Sequence, residues 1–246
     1  MTDSIAVISD IHSNIYALDA VLEDIAARKL HRIVNLGDSL FGPIDPVQTA
    51  QRLMNLENTV HMMGNCDRIL LESEADSLTF RHVKPLLTED IERWIGTFPA
   101  TWTLEDMLFC HGTPFSDEHY LIEEVTEHGV KDKDAERLSR ELEPVAASWI
   151  CCGHTHVSRM VRLPDGKMIV NPGSVGLPAY EEAAPYPHVM EAGSPHARYA
   201  AIRRTNGSWA VEHVQVAYDW HRAATAAWQN GRDDYAAAIR TGRVHG

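Results

Sequence analysis

The sequence predicts an α/β fold, and three observations carry that expectation. Short β-branched runs alternate with amphipathic helical patterns in the N-terminal part, the second half is dense in strand and turn signals, and successive strand-like runs end in Asp, Asn or His beside Gly. At 246 residues, with 44% hydrophobic and 23% charged, the chain fits one large domain or two small ones. No internal repeat and no interdomain linker stands out, so a single domain over 1–246 is expected.

In chain order, Ser-Ile-Ala-Val-Ile-Ser at 4–9 reads as a buried parallel strand that stops at Asp10. Leu18, Val21, Leu22 and Ile25 recur at i, i+3, i+4, i+7 and predict a helix over 15–28, with Ser13 or Asn14 as N-cap. A second strand over 32–36 ends in Gly37-Asp38, and after the Gly42-Pro43 and Asp45-Pro46 turn signals a helix covers 47–56. A third strand over 59–63 ends in Gly64-Asn65-Cys66-Asp67. Ligands bind at the carboxyl ends of strands in open α/β sheets, so these endings point to one site.

Residues 72–84 are charged and weakly periodic, and a helix over 87–95 opens at Thr88. Residues 102–104 and 107–110 form a hairpin that delivers His111-Gly112. A charged insertion over 115–134 precedes a helix over 135–142 that Pro144 stops. The apolar strand 148–152 ends in Gly153-His154-Thr155-His156. Further hairpins pair 157–163 with 168–170 and 198–204 with 209–216, around Pro164-Asp165-Gly166 and Asn206-Gly207. The Pro- and Gly-rich stretch 181–195 reads as a loop or lid, and Ala-rich 223–239 as a peripheral helix within a helical tail over 218–246.

Charge and composition narrow the partners. No run approaches the roughly 18 to 20 apolar residues of a membrane span, and Met1-Thr2-Asp3 leads into the first strand without a basic, apolar-cored leader, so a cytoplasmic chain with no membrane partner is expected. Cys66, Cys110, Cys151 and Cys152 lack C-x-x-C spacing and read as reduced thiols. With 22 Lys+Arg against 35 Asp+Glu, a net charge of -13, no stable nucleic-acid partner is expected, because Lys and Arg carry phosphate-backbone affinity. If the chain handles phosphates, the positive charge must come from another source.

The strand-end residues Asp10, His12, Asp38, Asn65, His111, His154 and His156 are carboxylates, imidazoles and an amide, without thiolates. That is the ligand set of Mn, Fe or Zn in an open hydrolytic centre and not of a closed structural zinc. In Asp10-x-His12 and His154-x-His156, the spacing of two points both side chains to one side of an extended segment. Singly, Asp10 also suits a helix cap and Asp38 or Asn65 a turn, but capping does not require seven ligand types together. Gly37, Gly64, Gly112 and Gly153 suit plain turns or the tight backbone of a crowded centre. The isolated His31, His61, His82 and His213 are given no role, and His119, His128, Tyr180 and His188 are candidates to line a substrate pocket but are read first as exposed loop residues.

Taken in order, Asp10-Ile-His12, Gly37-Asp38, Gly64-Asn65-Cys66-Asp67, His111-Gly112 and Gly153-His154-Thr155-His156 resemble the five signature blocks of the calcineurin-like metallophosphoesterases. Asn171-Pro172-Gly173-Ser174 is similar to the bacterial phosphodiesterase branch, and 9–14 with 37–43 to small bacterial relatives of the diadenosine tetraphosphatases. The resemblance implies a sandwich of two mixed β-sheets flanked by helices. It implies two divalent metal ions, manganese foremost with iron, zinc or nickel as alternatives. Asp10, His12, Asp38 and His156 would hold one ion; Asp38, Asn65, His111 and His154 would hold the other, with Asp38 bridging. Two ions about 3.5 to 4 Å apart hold a hydroxide that attacks phosphorus and neutralise the phosphoryl oxygens.

The implied function is hydrolysis of phosphodiester or nucleotide phosphoanhydride bonds in a small phosphate-containing substrate, a nucleotide or dinucleoside polyphosphate among them. Alternatives are a phosphomonoesterase with the same site and a non-catalytic, metal-bound binding subunit. Candidate catalytic residues are Asn65, Cys66 and Asp67, with Asp67 orienting a ligand or the substrate; Asn14 and Arg68 are candidates for substrate contact, although Arg68 also suits a plain exposed helix position. Many relatives carry His where this chain has Cys66. A thiol of ordinary pKa about 8.5 is a poorer acid than imidazole near 6.5 at neutral pH, which favours diesters and anhydrides over unactivated monoesters.

Overall fold

The computed structural model describes residues 4–244, so expectations for residues 1–3 and for the last two positions of the helical tail lie outside it. The elements run β1 (Ser4–Ile8), α1 (Ile15–Ala27), β2 (Arg32–Asn35), α2 (Pro46–Met54), β3 (Thr59–His61), α3 (Asn65–Leu70), α4 (Leu78–Val83) and α5 (Glu89–Ile95). They continue through β4 (Thr101–Leu104), β5 (Met107–Cys110), β6 (Glu123–Thr126), β7 (Gly129–Asp132), α6 (Ala135–Glu141), β8 (Trp149–Cys151), β9 (Arg159–Arg162) and β10 (Met168–Asn171). The chain then forms β11 (Ala179–Glu182), β12 (His188–Glu191), β13 (Ala197–Thr205), β14 (Ser208–Val216), α7 (Trp220–Gln229) and α8 (Asp233–Thr241).

Two five-stranded mixed sheets face each other, ordered β14-β13-β1-β2-β3 and β4-β5-β8-β10-β9. In each, three adjacent strands are parallel: β1, β2 and β3 in one, with β3 at the edge and β13 antiparallel to β1, and β5, β8 and β10 in the other, with antiparallel strands on both sides. The two-residue period of a strand sorts the side chains between layers. Ile5, Val7, Val34, Met107, Phe109, Cys151 and Val170 fill the space between the sheets. Their neighbours point outward: Ala6 and Ile8 meet Leu18, Val21 and Ile25 of α1, while Cys110, Ile150 and Ile169 meet Leu138 and Leu142 beside α6. Side chains cap the helices: Asn14 opens α1 and Thr88 α5 as expected, and Asp45, Asp134 and Asp219 cap α2, α6 and α7. The four cysteines are free thiols, and Cys110, Cys151 and Cys152 are buried packing residues.

Three expectations are corrected. The insertion 115–134 contains the antiparallel hairpin β6–β7, and the loop expected over 181–195 contains β12 and the end of β11. Their four-residue strands, Glu-Glu-Val-Thr and Ala-Tyr-Glu-Glu among them, carry too little apolar alternation to signal a strand. The expected peripheral helix is two helices, broken around Gly231, whose φ of 75° no helix accommodates. These helices are not peripheral either, since Ala223, Ala224, Ala227, Ala238 and Ile239 are buried against Ile44, Leu177 and Ala179. The weakly periodic 72–84 includes α4.

Phe109 is fully buried between the sheets. Phe109→Ala is expected to cost about 3–5 kcal/mol in urea unfolding, whereas Val189→Ala on an exposed face should stay within about 0.5 kcal/mol of the parent.

Candidate metal centre

The parallel strands of both sheets deliver polar residues to one end of the sandwich. Asp10 and His12 follow β1, Asp38 follows β2, Asn65 opens α3 beyond β3, His111 follows β5, and His154 and His156 follow β8. Asp10, His12, Asp38, His154 and His156 all have left-handed backbones, with φ of 56, 47, 56, 68 and 62°. This corrects the extended-segment reading of the two Asp/His-x-His motifs: each pair converges through backbone turns, not through strand alternation. Such conformations cost on the order of 1 kcal/mol or more each and persist where the surroundings enforce them. Here bonds between loops enforce them: Asp10 N–H donates to Gly37 O at 3.0 Å, His12 N–H to Asp38 O at 3.0 Å, and Gly176 N–H to Asp10 O at 3.0 Å. Gly64 is required by close approach, because a Cβ there would overlap the Asp38 carboxylate.

The side chains meet acceptor to acceptor. His12 Nε2 and His156 Nε2 lie 3.2 Å apart. Their Nδ1 atoms face the carbonyls of Phe41 at 2.7 Å and Leu177 at 2.5 Å, and a carbonyl only accepts. In the neutral rings both protons therefore sit on Nδ1, and two lone pairs face each other. Burial, reinforced by His156, holds the His12 imidazole below its ordinary value. Asp10 Oδ1 is buried without a hydrogen-bond partner, 3.2 Å from His156 Nε2. Burial pushes the Asp10 carboxyl up, but His156 outweighs it and holds it at about 2.

His111 is gripped in the same way, with Nδ1 on the Leu36 carbonyl at 3.0 Å, and its Nε2 lies in hydrogen-bond contact with Asn65 Oδ1 at 3.0 Å. His154 Nε2 lies 3.1 Å from the Glu118 carbonyl, and burial, with His111 nearby, lowers its imidazole to about 4. Asp38 stands between the groups: Oδ1 accepts the Cys66 N–H at 3.0 Å, while Oδ2 lies 3.4 Å from His111 Nε2 and 3.9 Å from His12 Nε2. Burial raises the Asp38 carboxyl, and His111 reverses this and takes it well below the carboxylate range.

Asp10, His12 and His156 form one group, and Asp38, His111 and His154 another, each with its ligand atoms within 4.8 Å of one another. Buried acceptors without a donor between them are costly, and a divalent cation at each point would satisfy them. The residues present thus fit a metal pair.

Asp67 is fully buried and touches no cleft. Its carboxylate accepts the N–H groups of Asp38 at 2.7 Å, Ser39 at 2.9 Å and Gly64 at 3.1 Å, so it positions the Asp38 loop. Burial and Asp38 push its carboxyl up to about 7 against those donors. Cys66 lines a cleft beside Asn65, and burial, with Asp38, raises its thiol well above the ordinary value.

Two expected substrate contacts are corrected. Asn14 is fully buried as the α1 cap, accepting the Ala17 N–H at 3.1 Å and donating to Gly176 O at 2.9 Å and Tyr218 Oη at 3.2 Å, so no polar atom remains for substrate. Arg68 lines neither cleft and is held by Asp117 at 2.8 Å and Glu118 at 2.8 Å.

Sequence reasoning missed Tyr120 and underrated Tyr180 and His188. Tyr120 Oη lies 2.5 Å from Tyr180 Oη and 2.9 Å from His188 Nε2, and Tyr180 Oη donates to the His154 carbonyl at 3.1 Å. No local pattern marks these residues, whereas the Asn171–Ser174 block did carry a signal. Asn171 Nδ2 donates to Gly153 O at 2.8 Å, and Ser174 Oγ to Asp10 O at 2.8 Å, bracing two ligand loops. Two clefts, of ≈ 930 Å³ and ≈ 470 Å³, meet at Asn65, His154 and Tyr180, and Phe41 and Tyr235 wall the smaller one.

Comparison with known proteins agrees with this geometry. The sequence profile of the calcineurin-like phosphoesterase superfamily domain matches residues 4–191. An uncharacterized protein of Methanocaldococcus jannaschii is 28% identical over 189 residues, covering 71% of this chain and 76% of that protein. A metallophosphoesterase of Sphaerobacter thermophilus superposes with a TM-score of 0.77 at 21% identity, covering 98% of this chain and 100% of the other. A protein described as a candidate diadenosine tetraphosphatase gives 0.53 at 17% identity, covering 88% and 95%. The structural likenesses establish the fold.

Asp67→Asn places an NH2 group against backbone N–H donors and is expected to weaken metal binding about 10- to 100-fold, read by competition with a chromogenic chelator. A second expectation concerns His111: burial lowers its imidazole, but Asp38 outweighs this and pushes it up to about 9 from 6.5. The resulting stabilisation of metal-free protein is full below pH 6.5 and lost as pH rises through about 9. Thermal unfolding of stripped protein should show Tm falling across that window, and His111→Gln should flatten the slope.

Proposed function

The chain belongs to the calcineurin-like phosphoesterase superfamily, and on that premise we infer that it is a dinuclear metallophosphoesterase that prefers phosphodiesters or phosphoanhydrides to monoesters. The observation that carries the metal assignment is the pair of lone pairs at His12 and His156, set 3.2 Å apart beside the unpartnered Asp10 Oδ1. Asp10, His12 and His156 would hold one ion and Asn65, His111 and His154 the other, with Asp38 Oδ2 between them. When bound, two divalent ions supply a Lewis-acid clamp on phosphoryl oxygens and a water acidified enough to act as nucleophile near neutral pH.

The chain's own residues fix the geometry. The carbonyls of Phe41, Leu36 and Leu177 set the imidazole tautomers, and Asp67 holds the Asp38 loop through three N–H groups. Tyr180 pins the His154 backbone. A thiol raised by burial makes Cys66 a poor proton donor, which favours substrates whose leaving group departs as a weak base. A cleft on each side of Asn65, His154 and Tyr180 gives a phosphorus atom at that junction room for an organic group on both sides, as a diester requires.

Metal-stripped protein reconstituted with Mn²⁺ is expected to hydrolyse bis(p-nitrophenyl) phosphate faster than p-nitrophenyl phosphate, and Asp38→Asn to lower diester turnover about 10²- to 10³-fold. Faster monoester turnover would overturn the diester assignment. Two bound metals without turnover of either compound would instead support a binding subunit.

A further inference from the structure

The basic residues around the two clefts are already neutralised. In the larger cleft Lys133 Nζ donates to Glu141 at 3.0 Å, and Arg137 is held by Glu141 at 2.8 Å and by Glu124. In the smaller cleft Arg232 is bound to Asp234 at 2.6 Å. Among the described residues, no Lys or Arg lining either cleft lacks a carboxylate partner. The larger cleft carries Glu118, Glu123, Glu124, Glu141 and Glu182 beside those two cations, and Arg68, Arg159 and Lys131 pair with Glu118, Glu123 and Glu124 from outside the lining. A polyphosphate chain leaving the metal centre would find no unpaired cation for its further phosphates among the described lining residues.

Glu123 adds an independent observation. It lines the larger cleft with only 1% of its surface exposed, and neither carboxylate oxygen has a hydrogen-bond partner. The Arg159 guanidinium lies 3.5 Å away without hydrogen-bond geometry. Burial pushes this carboxyl up, with Arg159 pulling against it. A buried carboxylate without a donor is an expensive feature, and a ligand that brings one recovers that cost. Tyr120 and Tyr180 line the same cleft and offer aromatic surface that suits a cation.

On the phosphodiesterase assignment above, we propose that the substrate carries a single phosphate and, in the larger cleft, an arm bearing a protonated amine that Glu123 receives. The phosphorus sits at the Asn65, His154 and Tyr180 junction, and the arm runs towards β6. Polyphosphorylated nucleotides are disfavoured because no unpaired lining cation is left among the described residues to receive their further phosphates.

The test uses the Mn²⁺-loaded full chain and two matched diesters, 2-aminoethyl p-nitrophenyl phosphate and ethyl p-nitrophenyl phosphate, with diadenosine tetraphosphate as the polyphosphate. The amine ester is expected to exceed the ethyl ester in kcat/KM by about tenfold. That ratio should shrink as ionic strength rises, because salt screens the glutamates. Diadenosine tetraphosphate should fall below both. Glu123→Gln should bring the amine-to-ethyl ratio close to one, and the exposed Glu118→Gln should lower it partway, which keeps the test decisive if the buried variant folds poorly. Equal turnover of the two diesters, or preference for the tetraphosphate, overturns this proposal while leaving the phosphoesterase assignment standing. Failure to cleave any of the three overturns both.

Discussion

Two imidazole nitrogens that face each other with lone pairs, beside a buried carboxylate oxygen that nothing satisfies, set the terms for the rest of this structure. Like-polarity atoms at 3.2 Å repel, so only a rigid frame keeps them together. The frame is the packed layer between the sheets, where Phe109, Met107, Val7 and Val34 hold the parallel strands so that their carboxyl ends meet. Backbone carbonyls of Leu36, Phe41 and Leu177 then grip the far side of each ring and aim its free nitrogen inward.

The loops that carry these residues are strained for the same reason. Five of the candidate ligands adopt left-handed backbones that residues with a Cβ rarely choose. Cross-loop hydrogen bonds and the buried Asp67 carboxylate offset that cost, tying the β1, β2 and β3 loops into one unit. Asn171 and Ser174 extend the tie to the second sheet. The candidate centre is therefore held by hydrogen bonds to residues outside the ligand groups, and Asp67, in the same short motif as the candidate ligand Asn65, is one of them.

Charge gives the protein its second organising feature. At -13 it would repel a phosphate, and every basic side chain around the clefts is paired. On the proposed dinuclear reading, the attraction for an anion would be concentrated at the metal centre, where a pair of divalent ions would dominate the local field. On the proposal above, the walls would be left to select the uncharged or cationic remainder of the substrate.

The strands that supply the ligands were legible in the sequence, because each is a short apolar run closed by a polar residue and Gly, and the five motif blocks stand in family order. The hairpins β6–β7 and β11–β12 were not legible, since four-residue strands of mixed charge owe their existence to pairing with each other and not to any pattern of their own. Asn14 shows the limit at a single residue: the sequence allows both a helix cap and a substrate contact, and the fold decides for the cap, with Oδ1 and Nδ2 both engaged inside the protein. The sequence by itself determined the family and the set of candidate ligands, because residue types and their order are local properties. The direction of each ring, the two clefts, the buried Glu123 and the helix pair around Gly231 were decided by tertiary structure, because they depend on contacts between residues far apart in the chain, which no local pattern encodes.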